Sequence, residues 1–212
     1  MTIAFSPDRM QIVLCLDNKT VQMWDMAMHV SVDNSLKGHT DDVNSVAFLP
    51  DGKWIVLGLD NNTIQVWDTR THAIVGNPLK EHTGLVHSVA FSLDGKQIMS
   101  GSFNNTIWVW DVAICDAMGN PLKGHTGTVY SIAFLPDRKN WIMLGSGQNL
   151  VILDVAMHAA MDNPLEGHKN VVTFVAFSPY GMCIVLGLMG QHNLGVGCTY
   201  YSYGMHLLFN LS

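Results

Sequence analysis

The sequence has few charged residues, and basic residues are the scarcer kind. Charged residues make up 13% of the 212-residue chain, about half of the roughly 25% that is usual for soluble domains. Lys and Arg number 11 against 17 Asp and Glu, which gives a formal net charge of -6. Binding to nucleic-acid phosphates or to an anionic membrane surface requires clustered basic residues. The composition therefore predicts neither a nucleic-acid partner nor a membrane partner.

Long apolar segments and paired cysteines are also missing. The longest apolar stretch, 182–189, is far shorter than the roughly 20 residues that span a bilayer. Asp8 and Arg9 interrupt the N-terminus before the apolar core of a signal peptide can form. No CxxC pair occurs among the four cysteines, which are Cys15, Cys115, Cys183 and Cys198. These features favour a reduced, cytoplasmic location.

What the sequence does contain is a repeat with a period of 43 residues. Four residue types recur at this interval, at the positions Phe5, Phe48, Phe91, Phe134 and Phe177; Ala4, Ala47, Ala90, Ala133 and Ala176; Leu36, Leu79, Leu122 and Leu165; and His39, His82, His125 and His168. A Trp-Asp pair recurs at Trp24-Asp25, Trp67-Asp68 and Trp110-Asp111, and the fourth copy has Leu153-Asp154. A fixed period of this length indicates an array of identical supersecondary units.

Each period consists of short apolar segments separated by turn signals. In the copy at 38–80, three apolar runs are separated by Pro50-Asp51-Gly52 and Asp60-Asn61-Asn62, and a fourth strand is expected at about 73–79. Both alternating faces of these strands are apolar, so each sheet must be covered on both sides. Hydrophobic residues make up 48% of the chain, which excludes general disorder, and no segment has a helical period.

The Gly-His pair, the Pro-Asp-Gly turn and the closing Trp-Asp resemble the WD-repeat family over about 1–188. The resemblance implies an all-β propeller of about five four-stranded blades, in an incomplete, open ring because such rings normally have about seven. The expected copies are 1–37, 38–80, 81–123, 124–166 and 167–188, and 189–212 is a divergent tail that can complete the last blade. The segment GNPLKGHT at 119–126 resembles the WD arrays of fungal NACHT-type and vegetative-incompatibility proteins.

The resemblance also implies a hydrogen-bonded chain of His, Ser or Thr, Asp and Trp inside each blade, since buried indole and imidazole groups need partners. The residues in question are His82, Ser100, Asn104 and Trp110 in the third copy, His39, Asn61 and Trp67 in the second, and His125 and His168 in the fourth and fifth. Leucine replaces the serine at Leu14, Leu57 and Leu186. We expect these blades to be weaker, by roughly 1–3 kcal/mol for each unmet buried polar group.

Metal binding and catalysis are the competing explanations for the histidines and aspartates. The repeated histidines fall on separate blades, which is too dispersed for one coordination sphere, so we predict a structural role and no metal. The sequence has no nucleophile elbow and no phosphate-binding glycine loop. Asp25, Asp68 and Asp111 end strands and do not form an acid–base pair. The sequence therefore predicts no enzyme activity and no cofactor.

The resemblance places partner contacts where the first strand of a blade begins and the turn between its second and third strands ends. These positions are Asp42, Asn44, Asp60, Leu85, His87, Phe103, Thr128 and Tyr130. An alternative for each is that it is only a solvated rim residue. The predicted function is a protein-interaction scaffold or sensor array without catalysis, with protein partners and with self-association through uncovered end blades.

A second hypothesis is that the chain is a degenerate fragment of a larger WD-repeat receptor and that this fragment has no independent function. Copies of the repeat differ at equivalent positions, for example Ser92 against Leu49 and Pro50 against Leu93. A single C-to-T or G-to-A nucleotide change can produce each of these differences. The 13 methionines and the scarcity of arginine fit the same bias. An upstream receptor-like open reading frame would distinguish a split receptor from an isolated remnant.

Overall fold

The fold consists of β-strands. The computed structural model describes residues 2–16, 19–31, 36, 41–122, 127–135, 141–147, 149–155, 159–160, 170–177 and 184–188. Every regular element in these ranges is a strand, and the strands are β1 (Thr2–Phe5), β2 (Gln11–Leu16), β3 (Thr20–Asp25), β4 (Val30–Ser31), β5 (Val43–Phe48), β6 (Trp54–Leu59), β7 (Ile64–Asp68), β8 (Ile74–Leu79), β9 (Val86–Phe91), β10 (Gln97–Ser102), β11 (Ile107–Asp111), β12 (Asp116–Ala117), β13 (Val129–Phe134), β14 (Trp141–Ser146), β15 (Asn149–Asp154), β16 (Ala159–Ala160), β17 (Val172–Phe177) and β18 (Ile184–Leu188).

The strands form five separate antiparallel sheets in chain order. Four sheets have four strands each, β1–β4, β5–β8, β9–β12 and β13–β16, and the fifth has the two described strands β17 and β18. Each strand pairs with its sequence neighbour, so every connection within a sheet is a hairpin. This topology confirms the prediction of four-stranded WD-type blades, and the sheets are called blades 1 to 5 below.

The first strands of the blades lie side by side at the centre of the molecule and are joined by serine side chains. The amide of Val89 donates a hydrogen bond to Ser45 Oγ (3.1 Å), in the preceding blade. The amides of Ile132 and Val175 donate in the same way to Ser88 (3.0 Å) and Ser131 (3.0 Å). These three residues, called the serine row, connect blades 2 to 5 by polar contacts that repeat with the sequence period.

Most of the core lies between blades. The front face of each blade is the face toward the preceding blade, and in blade 2 it carries Ile55, Leu57 and Trp67. These side chains are almost fully buried and pack against Val13 and Met23 on the back face of blade 1. Three further apolar clusters fill the other three junctions between consecutive blades. Each interior blade therefore contributes its two faces to two different clusters.

A glycine in the second strand permits consecutive blades to approach closely. A Cβ atom on Gly58 would lie 2.8 Å from Val86 Cγ1, and one on Gly145 would lie 2.7 Å from the Val172 carbonyl oxygen. Both distances are shorter than real Cβ contacts allow. Blade 1 has the buried Cys15 at this position, so its junction with blade 2 accommodates a larger side chain.

The blades form an open arc, as predicted. Phe5 and Ile3, on the front face of blade 1, are 59% and 49% exposed, whereas their counterparts in blade 3, Phe91 and Val89, are 8% and 5% exposed. At the other end of the arc, Phe174 on the back face of blade 5 is 52% exposed. Positions that a neighbouring blade covers inside the array are therefore exposed at its two ends.

Candidate functional site

Blade 3 contains a buried hydrogen-bonded chain that includes all four residues assigned to it by resemblance. The indole N–H of Trp110 donates to Ser100 Oγ (2.8 Å), and Ser100 Oγ lies 2.7 Å from His82 Nε2. Thr106 gives its own proton to Asn104 Oδ1 (2.6 Å), so the proton between His82 and Thr106 must come from His82 Nδ1, and Nε2 of the neutral imidazole accepts from the Ser100 hydroxyl. His82 Nδ1–H then donates to Thr106 Oγ1 at 3.0 Å.

The chain continues from Thr106 to the surface of the blade. Thr106 Oγ1 donates to Asn104 Oδ1 (2.6 Å), and Asn104 Nδ2 donates to Thr83 Oγ1 (3.1 Å). Each group therefore donates to the next in one direction, which polarises the bonds cooperatively. Sequence reasoning missed Thr106, although threonine also occurs one period earlier at Thr63, where its hydroxyl donates to Asn61 Oδ1 (2.6 Å).

Burial keeps His82 neutral. The side chain is buried, and desolvation lowers the pKa of His82 to about 4, against weaker raising effects of its hydrogen bonds. The imidazole is therefore uncharged at neutral pH, in agreement with the bond directions above. The Ser100 hydroxyl beside it is 0% exposed.

The blades with leucine in place of serine are packed differently. Leu57 is 0% exposed and belongs to the apolar cluster between blades 1 and 2, so packing replaces the serine hydroxyl there. In blade 1, Leu14 stands at the serine position, and the buried Trp24 Nε1 has no hydrogen-bond partner among the described residues. His39, His125 and His168 lie outside the described residues.

The predicted partner-contact residues lie together on one edge of blades 2, 3 and 4. A backbone bond closes this edge in each blade: Asp60 N–H to the Asp42 carbonyl (3.0 Å), Phe103 N–H to that of Leu85 (2.9 Å), and Gly147 N–H to that of Thr128 (3.3 Å). In blade 2, Asn44 Nδ2 also donates to Asp60 Oδ1 (2.7 Å) and contacts the Val86 carbonyl oxygen at 3.3 Å. We call the eight predicted residues the rim.

Aromatic contacts join the rim of blade 3 to that of blade 4. The His87 ring lies 5.3 Å from the Tyr130 ring and 6.2 Å from the Phe103 ring, between centroids. Burial lowers the pKa of His87, while the negative charge of Asp60 opposes this shift. Phe103 is 56% exposed. The rim therefore presents an exposed aromatic side chain that is supported by two further rings.

The rim borders a groove along the first strands of all five blades. Its volume is ≈ 420 Å³, and its walls include Asn44, His87, Tyr130 and Thr173, which follow one another at the repeat interval. Equivalent positions of four successive blades face the same space, so four different side chains line one concave surface. The resemblance assigned Asn44, His87 and Tyr130 to the rim, but it did not predict the groove or the contacts between the rings, which depend on the angle between blades.

The aspartates of the Trp-Asp pairs stabilise turns. Asp68 Oδ1 accepts hydrogen bonds from the amides of Arg70 (3.0 Å) and Thr71 (2.7 Å), and the bond from Thr71 is the main cause of the lowered pKa of Asp68. Asp25 and Asp111 each accept equivalent hydrogen bonds from the backbone amides two and three residues later in the chain. All three carboxylates are therefore engaged in hydrogen bonds that stabilise the exposed turns after the third strands.

Within the described part of the chain, no group of three or more His, Cys, Asp or Glu side chains is arranged to hold a metal ion. The same ranges contain no helix with the length and hydropathy needed to cross a bilayer.

Trp110→Phe should destabilise the chain more than Trp24→Phe. The first change leaves Ser100 without its donor in a buried site, at a cost of roughly 1–3 kcal/mol, whereas the second removes an N–H that has no partner within the described part of the chain. Urea denaturation followed by circular dichroism measures both losses. Equal losses in the two variants would contradict a stabilising role for the network.

Comparison with protein families identifies the repeats. The family model described as "WD domain, G-beta repeat" matches residues 31–68, 75–111 and 118–152, which is more than half of the chain. The first two matches end at Asp68 and Asp111, the aspartates of the turn-forming Trp-Asp pairs. A search of curated proteins finds no match. The matched repeats and the four-stranded blades agree, and the chain belongs to the WD40 repeat family.

Proposed function

We propose that the chain is a non-catalytic scaffold that binds partner proteins at the rim. WD40 domains generally mediate protein–protein interactions, which supports this class of function. The observation that carries the proposal is Phe103, a 56% exposed aromatic side chain beside a groove and supported by the His87 ring. Rigidly held aromatic side chains are the usual anchors of protein interfaces.

The chemistry of the serine–histidine pair favours binding over catalysis. The buried imidazole of His82 is hydrogen-bonded to two hydroxyls, those of Ser100 and Thr106, and the Thr106 hydroxyl already donates to Asn104 Oδ1. Ser100 Oγ already accepts from Trp110 and is closed to solvent. A substrate carbonyl cannot reach this oxygen without separating two blades, so the pair serves the fold.

The rim as a binding surface can be tested with peptides selected from a random library on the immobilised chain. Phe103→Ala should weaken the selected peptides about tenfold, the effect of removing a moderate interface anchor. Ile114→Ala is the matched control because Ile114 is 71% exposed but lies in the turn after β11, away from the rim. Fluorescence anisotropy gives both affinities. Unchanged binding to Phe103→Ala, or an equal loss in Ile114→Ala, would overturn the proposal.

We also propose that the 212-residue chain self-associates through its two end faces. The front face of blade 1 exposes Ile3 and Phe5, and inside the array the same positions are covered by the back face of another blade. The exposed back-face Phe174 of a second copy offers a complementary apolar surface. This head-to-tail contact would extend the stacking already present between blades.

Sedimentation velocity at micromolar concentration tests this association. The wild-type chain should form dimers or larger species, and Phe5→Lys should shift it toward the monomer because a charge would be buried at the junction. Ile114→Lys adds the same charge outside the end faces and should leave the distribution unchanged. A monomeric wild-type chain, or equal effects of the two substitutions, would contradict the proposal.

A cytoplasmic location within a larger receptor is our proposal for the biological context. It is supported by the resemblance of GNPLKGHT at 119–126 to NACHT-associated arrays, and by the two described cysteines, Cys15 and Cys115, which are both free thiols. The Trp24 indole N–H, which has no hydrogen-bond partner among the residues that the structure describes, suits the alternative, a decayed fragment. Sequencing the adjacent genomic region separates these options, because an intact receptor frame favours the first and its absence favours the second.

A further inference from the structure

We propose that the rim recognises a cationic side chain, preferentially an arginine guanidinium, on the partner protein. The binding position is the space between Asp60, His87 and Tyr130, beside the exposed Phe103. This inference rests on the proposed scaffold function and specifies the chemistry of the partner. It rests on an aromatic cluster and a negative charge, which the fold brings together from three blades.

The aromatic part of the site consists of three rings held at fixed angles. His87 and Tyr130 lie 5.3 Å apart at an interplanar angle of 34°, and Phe103 meets His87 edge-on at 6.2 Å. The contact between His87 and Phe103 is within blade 3, and that between His87 and Tyr130 crosses to blade 4. Ring faces attract cations, and a planar guanidinium can also stack on them.

The acidic part lies in the adjacent blade. Asn44 Nδ2 donates to Asp60 Oδ1 (2.7 Å) and thereby holds this carboxylate beside Asn44, a residue of the groove wall. Asp60 is close enough to His87 for its charge to act on the ring. Next to it, Asp42 Oδ1 is buried and has no hydrogen-bond partner among the described residues.

Charge complementarity decides between cationic and other partners. Burial lowers the pKa of His87, which leaves its ring neutral at physiological pH, so it adds no positive charge to the site. The nearest described ion pair, Lys19 with Asp41 (3.3 Å), uses a different carboxylate. Asp42 and Asp60 therefore give the rim a negative potential, in a chain whose formal net charge is -6. An acidic segment would be repelled from this surface.

The experiment compares three pools of fluorescent 12-residue peptides that are random except at one central position. That position is arginine, its neutral isostere citrulline, or glutamate. We expect the arginine pool to bind the full chain about tenfold more tightly than the citrulline pool, the range of a cation–π contact reinforced by a carboxylate. The glutamate pool should bind more weakly than either.

Two pairs of variants assign the effect to named groups. Asp60→Asn keeps the oxygen that accepts from Asn44 but removes the charge, and it should reduce the preference for arginine over citrulline to about twofold. Asp51→Asn removes a charge from the exposed turn before β6, at the opposite edge of the blade, and should leave the preference unchanged. Tyr130→Phe should retain the preference, because the ring remains, and Tyr130→Leu should lose most of it.

The outcomes separate this inference from the proposed function. Equal binding of all three pools at the rim would overturn cation recognition and leave the scaffold function in place. Tighter binding of the glutamate pool would also overturn it. If no pool binds and library selection yields nothing, the scaffold function itself fails. Thermal melting of each variant confirms that a lost preference does not reflect unfolding.

Discussion

The structure depends on the fact that its sheets are apolar on both faces. A four-stranded antiparallel sheet with one polar face could pack on a single partner, but here Val13, Leu57 and Met99 each face a neighbouring blade and are fully buried. Each interior blade therefore requires one neighbour on either side. The arc, the four apolar clusters and the groove along the first strands all follow from this requirement.

Different blades meet this requirement with different chemistry. Blade 3 combines apolar packing with the chain from Trp110 through Ser100 to His82, whereas blade 2 places Leu57 at the serine position and fills the same space with a larger apolar side chain. Replacement of a hydrogen-bonded group by well-packed apolar atoms can be nearly neutral. Blade 1 differs, because Leu14 is only partly buried there and the Trp24 indole N–H has no hydrogen-bond partner among the described residues.

The connections between blades also bear on the proposed binding at the rim. From blade 2 to blade 5, the serine row joins each first strand to the next by a bond from backbone amide to hydroxyl, as between Ser88 and Ile132. His87 and Tyr130 lie on strands that are joined in this way, and their ring centroids are 5.3 Å apart. A binding site that is already formed loses little conformational entropy when it is occupied.

The period of 43 residues and its turn signals were sufficient to predict short strands in repeated units, whereas the four-stranded blades and the open arc were implied by the resemblance to WD repeats. Thr106 and the serine row were missed, although Thr63 and the spacing of Ser45, Ser88 and Ser131 offered the same periodic signal. The contact between His87 and Tyr130 could not be predicted from spacing alone. It depends on the angle at which two blades meet, which is set by the side chains packed between them.

Hydrogen exchange measured by mass spectrometry tests most directly the claim that coverage of both faces determines stability. Peptides from β9, β10 and β11 of blade 3, which is covered on both faces, should exchange most slowly. Peptides from β1 and β2, whose front face is open at Ile3 and Phe5, should exchange at least about tenfold faster, because local opening there exposes less buried surface. Equal protection of blades 1 and 3 would contradict the account.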